Sequence, residues 1–378
     1  TNTTLDSTRL CLYGHNAQGL NHKHERKLSN VSGHMRQEGR SLSKKIKFSE
    51  YKTSQDIRSR FVYVAQSTYL TPNQKAVLAW YSDQFVLPLP DHHRFPMEKY
   101  RLLRECVAVD ERIQLLIPEP ATNKDLTRVH TVKYVSKVTS GELSKDEVRR
   151  IGFPWSHELV ERSRRSTGGT IQAAEQARRD GFSANLAGGT HHAFADSGEG
   201  FCVFNDVAVA ARSLQARGLV HHCAILDLDV HQGNGTAAIF AGDKSVFTLS
   251  VHGESNYPFR KEASDLDIGL ADGTEDEHFL SSVHFGVEQA LSQGADLAFF
   301  IAGADPFEGD RLGRLAVTKQ ALRERDRIVF DACERSGTPL AVVMAGGYAK
   351  DIQDTVEIHA STVLEAASRT SSSAPNSF

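Results

Sequence analysis

The chain has 378 residues, a formal net charge of −3, 40% hydrophobic residues and 24% charged residues. These are the proportions of a soluble globular protein with one large α/β domain or two ordinary ones, and the near-neutral charge argues against direct nucleic-acid binding as the main activity. Cys11, Cys106, Cys202, Cys223 and Cys333 stand far apart without a C-x-x-C pair, which argues against a disulfide framework or a thiolate zinc site and favours a reducing, intracellular setting.

Residues 1–60 carry twelve Lys and Arg against five Asp and Glu, are rich in Ser, Thr, Asn and His, and show no sustained apolar period. A segment of this kind buries too little apolar surface to offset its ordering entropy, so a disordered extension is expected. Its basic, Ser-rich composition is also that of an organellar transit peptide, which would direct the chain to a chloroplast or mitochondrion. From there the pattern alternates. A strand is expected at 61–65, helices at 97–107 and 157–179, a short strand at 184–187, and a helix at 207–217. Strands follow at 223–229 and 245–251, a helix at 275–293, a strand at 297–302, a helix at 315–336, a strand at 340–344 and a helix at 351–367. The longest apolar run, near 295–304, has about ten residues and is too short to span a bilayer; no secretory h-region opens the chain. A flexible tail is expected at 368–378. Continuous apolar strands separated by helices imply an α/β fold, a single domain over 61–367 with a mostly parallel sheet and helices on both faces.

Open parallel sheets bind ligands beyond the carboxyl ends of their strands. Five expected strand ends carry polar or glycine-rich segments: 188–192 (GGTHH), 227–235 (DLDVHQGNG), 250–252 (SVH), 303–305 (GAD) and 345–348 (AGGY). Residues two apart on a strand share a face, so Asp227, Asp229 and His231 project together. Asp229, His231 and Asp305 would supply three metal ligands and leave a position open, the arrangement of a catalytic zinc site. The competing reading is a strand end whose acids cap the following turn. His191 and His192 on a glycine turn are candidates for general acid–base work, with Asp227 to orient one of them. Tyr348, on its own glycine turn, could face a bound substrate or be an ordinary exposed tyrosine. Gly233-Asn234-Gly235 hints at a phosphate cradle, but no G-K-[ST] follows it.

The motifs GGTHHA (188–193), GFCVFND (200–206), DLDVHQGNG (227–235), GAD (303–305) and GGY (346–348) resemble, in order and spacing, the signature of histone deacetylases. The resemblance extends from about residue 87 to 367. HRFPMEKY (93–100), RRIGFPWS (149–156), EGDRLGRL (308–315) and Asn234 are similar to class IV enzymes and their bacterial relatives. The resemblance implies the arginase/deacetylase fold, with one catalytic zinc held by Asp229, His231 and Asp305. It makes His192 the general base and acid. His191, paired with Asp227, serves electrostatics, and Tyr348 donates to the oxyanion. Phe201 and Tyr257 correspond to walls of the acyl-lysine tunnel. A structural monovalent cation, K+ or Na+, would sit near Asp227, Asp229, His231 and Ser250. Arg94 corresponds to the arginine lining the internal acetate channel. Class I enzymes usually carry Asp where this chain has Asn234, which leaves His192 with a weaker, neutral partner.

The implied reaction is hydrolysis of the amide of N6-acyl-lysine in proteins, histone tails among them, to a carboxylate and free lysine. The implied setting is the nucleus or cytoplasm, with corepressor complexes as partners in chromatin and transcription regulation; no membrane or direct nucleic-acid contact is expected. The alternatives are a long-chain acyl-lysine deacylase, an acetylpolyamine amidohydrolase, a two-manganese ureohydrolase of the same fold, and a non-catalytic acyl-lysine reader or scaffold. The ureohydrolase would carry D-x-H-x-D, whereas His231 is followed here by Gln232 and Gly233. A reader would need none of the acid–base groups.

Overall fold

The structure, a computed structural model, describes residues 76–370. The expected extension at 1–60, the strand at 61–65 and residues 371–378 of the tail lie outside the described residues. Eight parallel strands form one sheet, ordered β2-β1-β3-β8-β7-β4-β5-β6. They are β1 (Val77–Trp80), β2 (Ile113–Leu116), β3 (Phe182–Asn185), β4 (Cys223–Asp227), β5 (Val246–Gly253), β6 (Leu266–Leu270), β7 (Leu297–Ala302) and β8 (Leu340–Met344). The helices are α1 (Glu98–Val107), α2 (Asn123–Leu126), α3 (Val132–Ser140), α4 (Lys145–Ile151), α5 (His157–Asp180), α6 (Asp206–Ala216), α7 (Asn234–Phe240), α8 (Asp276–Leu291), α9 (Lys319–Ser336) and α10 (Ile352–Thr370). None of the described helices is long and apolar enough to cross a membrane.

The period-2 geometry of the central strands divides the apolar interior into two layers. On β7, Ala298, Phe300 and Ala302 face one layer, while Leu297, Phe299 and Ile301 face the other. On β8 the same split sets Leu340, Val342 and Met344 against Ala341 and Val343. The first layer is closed by α1, α8, α9 and α10, for example through Leu103, Phe279, Phe330 and Val363. The second is closed chiefly by α3, α5 and α6 through Tyr134, Leu159 and Leu214. Burial on both faces explains why β4, β7 and β8 read as unbroken apolar runs.

Helix starts follow their caps. The segment beginning at Leu315 becomes helical only at Lys319, because Thr318 accepts the Ala321 N–H and caps α9; Ser156 caps α5 in the same way. β1, β2 and β6 are absent from the sequence expectations: β2 and β6 lie at the two sheet edges and are only partly buried, so they lack the continuous apolar signature, and β1 is a run of only four residues.

One buried ion pair ties the helical layer to the strand ends. Arg325 of α9 is fully buried, donates to Asp326 Oδ1 through Nε (3.0 Å) and Nη2 (2.8 Å), and donates through Nη1 to the Gly303 carbonyl. Asp326 Oδ2 accepts the Thr362 hydroxyl of α10 at 2.7 Å. Removing one partner strands the other charge in the core, which typically costs about 3–5 kcal/mol. Asp326→Ala is therefore expected to lower unfolding free energy by about that amount in urea titrations, and a loss below about 1 kcal/mol would contradict the role assigned to the pair.

Candidate active site

Residues at the carboxyl ends of β3, β4 and β8 line one cavity, and Asp305 beyond β7 is buried beside them. Beyond β4, Leu228 and Val230 are anchored in the core at 0% exposure, which leaves Asp227, Asp229 and His231 to point the other way. Asp305, just past β7, is buried against them. His231 Nδ1 lies 3.0 Å from Asp229 Oδ1 and 3.2 Å from Asp305 Oδ2. One ligand atom from each of the three falls within 4.8 Å of the others, and among the described residues this is the one such cluster with metal-binding geometry.

The outer hydrogen bonds of the cluster are already assigned. Asp229 accepts the His231 N–H on Oδ1 (2.9 Å) and the Gly346 N–H on Oδ2 (2.7 Å), and Asp305 Oδ1 accepts the Val230 N–H (3.0 Å). Asp305 Oδ2 is buried without a hydrogen-bond partner. Gly346 is required beside it, because a Cβ there would stand 1.8 Å from Asp305 Oδ2. Burial and then the Asp229 charge raise the pKa of Asp305. Burial would depress that of His231, but the two carboxylates outweigh it and raise it. Two buried carboxylates share a single imidazole, and the Asp305 oxygen that makes no hydrogen bond marks where a cation would add positive charge. The residues fit a metal ion.

The turn after β3 carries His191 and His192, with ring centroids 4.1 Å apart. It is pinned by Asp206, which accepts the Gly189 N–H (3.2 Å), the Thr190 N–H (2.8 Å), and the hydroxyls of Thr190 and Thr170 (both 2.6 Å). His191 Nδ1 is 2.6 Å from Asp227 Oδ2. Burial pushes the His191 pKa down, but the Asp227 carboxylate prevails and holds it at about 9. His192 Nδ1 is 2.7 Å from Asn234 Oδ1, and burial followed by the charge of His191 drives its pKa well below the usual histidine range. The pKa values of the adjacent histidines are thus shifted in opposite directions, the separation an acid–base pair needs. Asn234 is not an isolated neutral partner, because its Nδ2 donates to Glu199 Oε1 at 2.7 Å.

Tyr348 follows Gly346 and Gly347, and its backbone N–H is held by Asp310 Oδ2 at 2.6 Å. Its phenol pKa is pushed well above the ordinary value by burial, then by neighbours that include Tyr100, Asp305 and Asp229. It lines the same cavity of about 450 Å³ as Asp229, His231, His192, Phe201 and Tyr257. Phe201 packs on Phe153 and Phe95 (centroids 5.1 and 5.2 Å), neither of them among the residues singled out from sequence. Tyr257 stands edge-on to His192 at 5.0 Å. Ser250 pairs in register with Asp227 across β4 and β5, and its hydroxyl lies 2.9 Å from His252 Nδ1.

Arg94 is placed differently from the expectation. It is exposed, with its guanidinium 5.0 Å above the Phe201 ring at the cavity rim, so it does not line an internal channel. The basic residue on the inner side is Lys99, 3% exposed, whose Nζ donates to the Ala345 carbonyl at 3.0 Å and reaches the Gly347 carbonyl at 3.5 Å. Its place in the first turn of α1 gave no sequence signal beyond a position of basic type. Asp206 and Glu199 were also missed, although both sit inside or beside the GFCVFND segment.

Residues 93–363 match the histone deacetylase domain. The chain is 46% identical over 283 residues to an uncharacterized protein of Picosynechococcus, covering 74% of this chain and 94% of that one. It is 30% identical over 283 residues to histone deacetylase 2 of Arabidopsis thaliana (70% and 73% covered). It is also 30% identical over 280 residues to a histone deacetylase-like amidohydrolase of Pseudomonas aeruginosa (68% and 73% covered). Its fold superposes on a deacetylase homologue crystallised with SAHA with a TM-score of 0.67 at 24% identity, covering 78% and 84% of the chains. The eight-stranded parallel sheet with helices on both faces is the arginase/deacetylase fold, and the chain belongs to the histone deacetylase family of hydrolases.

Proposed function

We propose that the protein is a zinc-dependent hydrolase of N6-acyl-lysine in proteins, releasing a carboxylate and free lysine. The observation that carries this reading is the Asp229–His231–Asp305 cluster on the floor of an aromatic-walled cavity that also holds His192 and Tyr348. One imidazole and two carboxylates with room for a further ligand suit zinc better than a closed structural site. The names of relatives, histone deacetylase 2 and histone deacetylase-like amidohydrolase, support the reaction class. The class IV segments noted above are the reason for placing the chain near that branch. When bound, zinc supplies Lewis acidity toward the amide carbonyl and toward water.

The chain's own groups account for the proton movements. Neutral His192 accepts a proton from the attacking water and returns it to the departing lysine amine. His191, held as an imidazolium by Asp227, adds positive charge beside it. Tyr348 keeps its proton because burial raises its pKa, and donates a hydrogen bond to the oxygen that gains charge as the amide becomes tetrahedral. Phe201 and Tyr257 flank the methylene stem of the acylated lysine. Lys99, on the inner side, is the residue of this chain that would meet a carboxylate product. A monovalent cation near Asp227, Asp229, His231 and Ser250 completes the assignment.

A second reading concerns acyl length. Leu87, Leu159, Val203 and Phe204 line the same cavity as the metal-binding cluster, an apolar lining that would favour acyl groups longer than acetyl. Comparing kcat/KM on acetyl-, octanoyl- and myristoyl-lysine peptides and on acetylated polyamines separates these substrates, and protein-lysine hydrolysis is abandoned if only the polyamines turn over.

Asp305→Ala is expected to abolish most zinc content, read by elemental analysis of dialysed protein, and nearly all peptide turnover. Full occupancy and activity would show the ligand set to be wrong. Tyr348→Phe is expected to lower kcat about 10²–10³-fold with zinc content, thermal stability and KM little changed. A Phe variant within about threefold of wild-type kcat would leave the phenol without the proposed role.

A further inference from the structure

The His192–Asn234 contact does not by itself determine which ring nitrogen carries the proton. An asparagine amide can present either its oxygen or its NH2 to a histidine, and the two orientations occupy the same volume. With Oδ1 toward His192, Nδ1 must be protonated and Nε2 keeps its lone pair. With Nδ2 toward His192, Nδ1 is the acceptor and the proton moves to Nε2, leaving no nitrogen free to act as a base.

Glu199 breaks this symmetry. A carboxylate only accepts hydrogen bonds, and Glu199 Oε1 stands 2.7 Å from Asn234 Nδ2. The flipped amide would set two oxygens against each other at that distance. The carboxylate is carried on a tight turn, closed by the Cys202 N–H donating to the Glu199 carbonyl at 2.8 Å. Both central residues of the turn have left-handed φ, Gly200 at 56° and Phe201 at 67°, as in a type I′ turn. Gly200 is obligatory there, because a Cβ would lie 2.7 Å from His192 Cδ2. Phe201 is a bulky residue in a conformation that is uncommon outside glycine. The turn is stitched to the neighbouring loop by the Gly200 N–H donating to the Arg150 carbonyl (3.1 Å) and the Phe201 N–H to that of Ile151 (2.7 Å). One strained turn therefore places a tunnel wall, the clearance for His192, and the carboxylate behind Asn234. Glu199 also acts on Tyr257, whose phenol pKa is raised by burial and then by its hydrogen bond to that carboxylate.

We propose that Glu199 is a positioning residue that fixes the Asn234 amide, and through it the tautomer of His192, so that Nε2 is held ready to accept a proton. The proposal rests on the hydrolase reading only for its kinetic consequence. The tautomer itself is a property of the folded, zinc-loaded full chain.

The test uses Glu199→Gln, Asn234→Asp and the double variant, each zinc-loaded and checked for zinc content and thermal stability. Long-range 1H–15N spectra of 15N-histidine-labelled protein report the tautomer, with the His192 resonances assigned by its loss in His192→Ala. Wild type is expected to show His192 protonated on Nδ1 only. In Glu199→Gln, which can donate as well as accept, an Nε2-protonated signature should appear, with kcat on an acyl-lysine peptide falling in proportion to the Nδ1-protonated fraction lost while KM changes little. Asn234→Asp alone faces two carboxylates toward each other and should also lose activity. In the double variant Asp accepts from His192 and Gln donates to Asp, so the Nδ1-protonated signature and kcat should return to within about threefold of wild type, a compensation that loss of packing would not give. A His192 signature unchanged in Glu199→Gln, with kcat within about threefold of wild type, overturns the proposal. If wild type turns over no acyl-lysine substrate, the functional reading fails while the spectra still decide the role of Glu199.

Discussion

Negative charge buried without a matching donor governs the architecture around the site. Asp229, His231 and Asp305 are at most 9% exposed, and Asp305 Oδ2 accepts no hydrogen bond. Burying an uncompensated carboxylate is costly enough that a chain avoids it unless something is to be bound there. The surrounding sequence is arranged so that this deficit persists. Backbone N–H groups of Val230, His231 and Gly346 occupy the outer oxygens, and the lack of a side chain at Gly346 keeps the inner ones clear. The cluster is rigid because each donor comes from the end of a strand buried on both faces.

The next layer orients these groups with buried hydrogen bonds that have little slack. Asp206 collects four donors from the histidine turn and α5, and Asp310 holds the Tyr348 N–H. Arg325 grips the Gly303 carbonyl beside the Asp229–His231–Asp305 cluster. Each carboxylate or guanidinium is satisfied by several partners, which converts a desolvation cost into a geometric constraint. His191, His192 and Tyr348 are thus carried on turns, while their positions are set by the interior of the α/β domain.

Much of this was legible in the sequence because strand geometry is periodic. Alternation placed Asp227, Asp229 and His231 on one side, and unbroken apolar runs identified β4, β7 and β8. The proximity of Asp229, His231 and Asp305, the pairing of His191 with Asp227, and the place of Phe201 and Tyr257 on one cavity follow from strand-end positions and the family motifs. The edge strands β2 and β6 escaped because half-buried segments lack a continuous apolar signal, and the interior β1 escaped because its run is only four residues long. The short helices α2, α3 and α4 escaped because each is defined largely by caps such as Thr122, Thr131 and Ser144. Arg94 was misplaced for a related reason. Within HRFPMEKY the sequence supplies two basic residues five apart, and only the start of α1 at Glu98 turns Lys99 inward and leaves Arg94 on the rim.

Asn234 reads differently once its neighbours in the fold are added. Taken with its neighbours in sequence, it is a neutral replacement for a carboxylate and weakens the support of His192. In the fold it is the middle of a chain that ends on Glu199, so the negative charge has been moved outward by one side chain. The site already buries Asp227, Asp229 and Asp305, and a fourth carboxylate touching His192 would add to the repulsion that raises the pKa of Asp305. An amide interposed between His192 and the Glu199 carboxylate joins them through two hydrogen bonds while keeping the charge in the half-buried turn, where solvent screens it. The arrangement requires the turn at Gly200 and Phe201 to deliver Glu199 within reach, which gives the strained backbone at Phe201 a reason beyond its place on the tunnel wall.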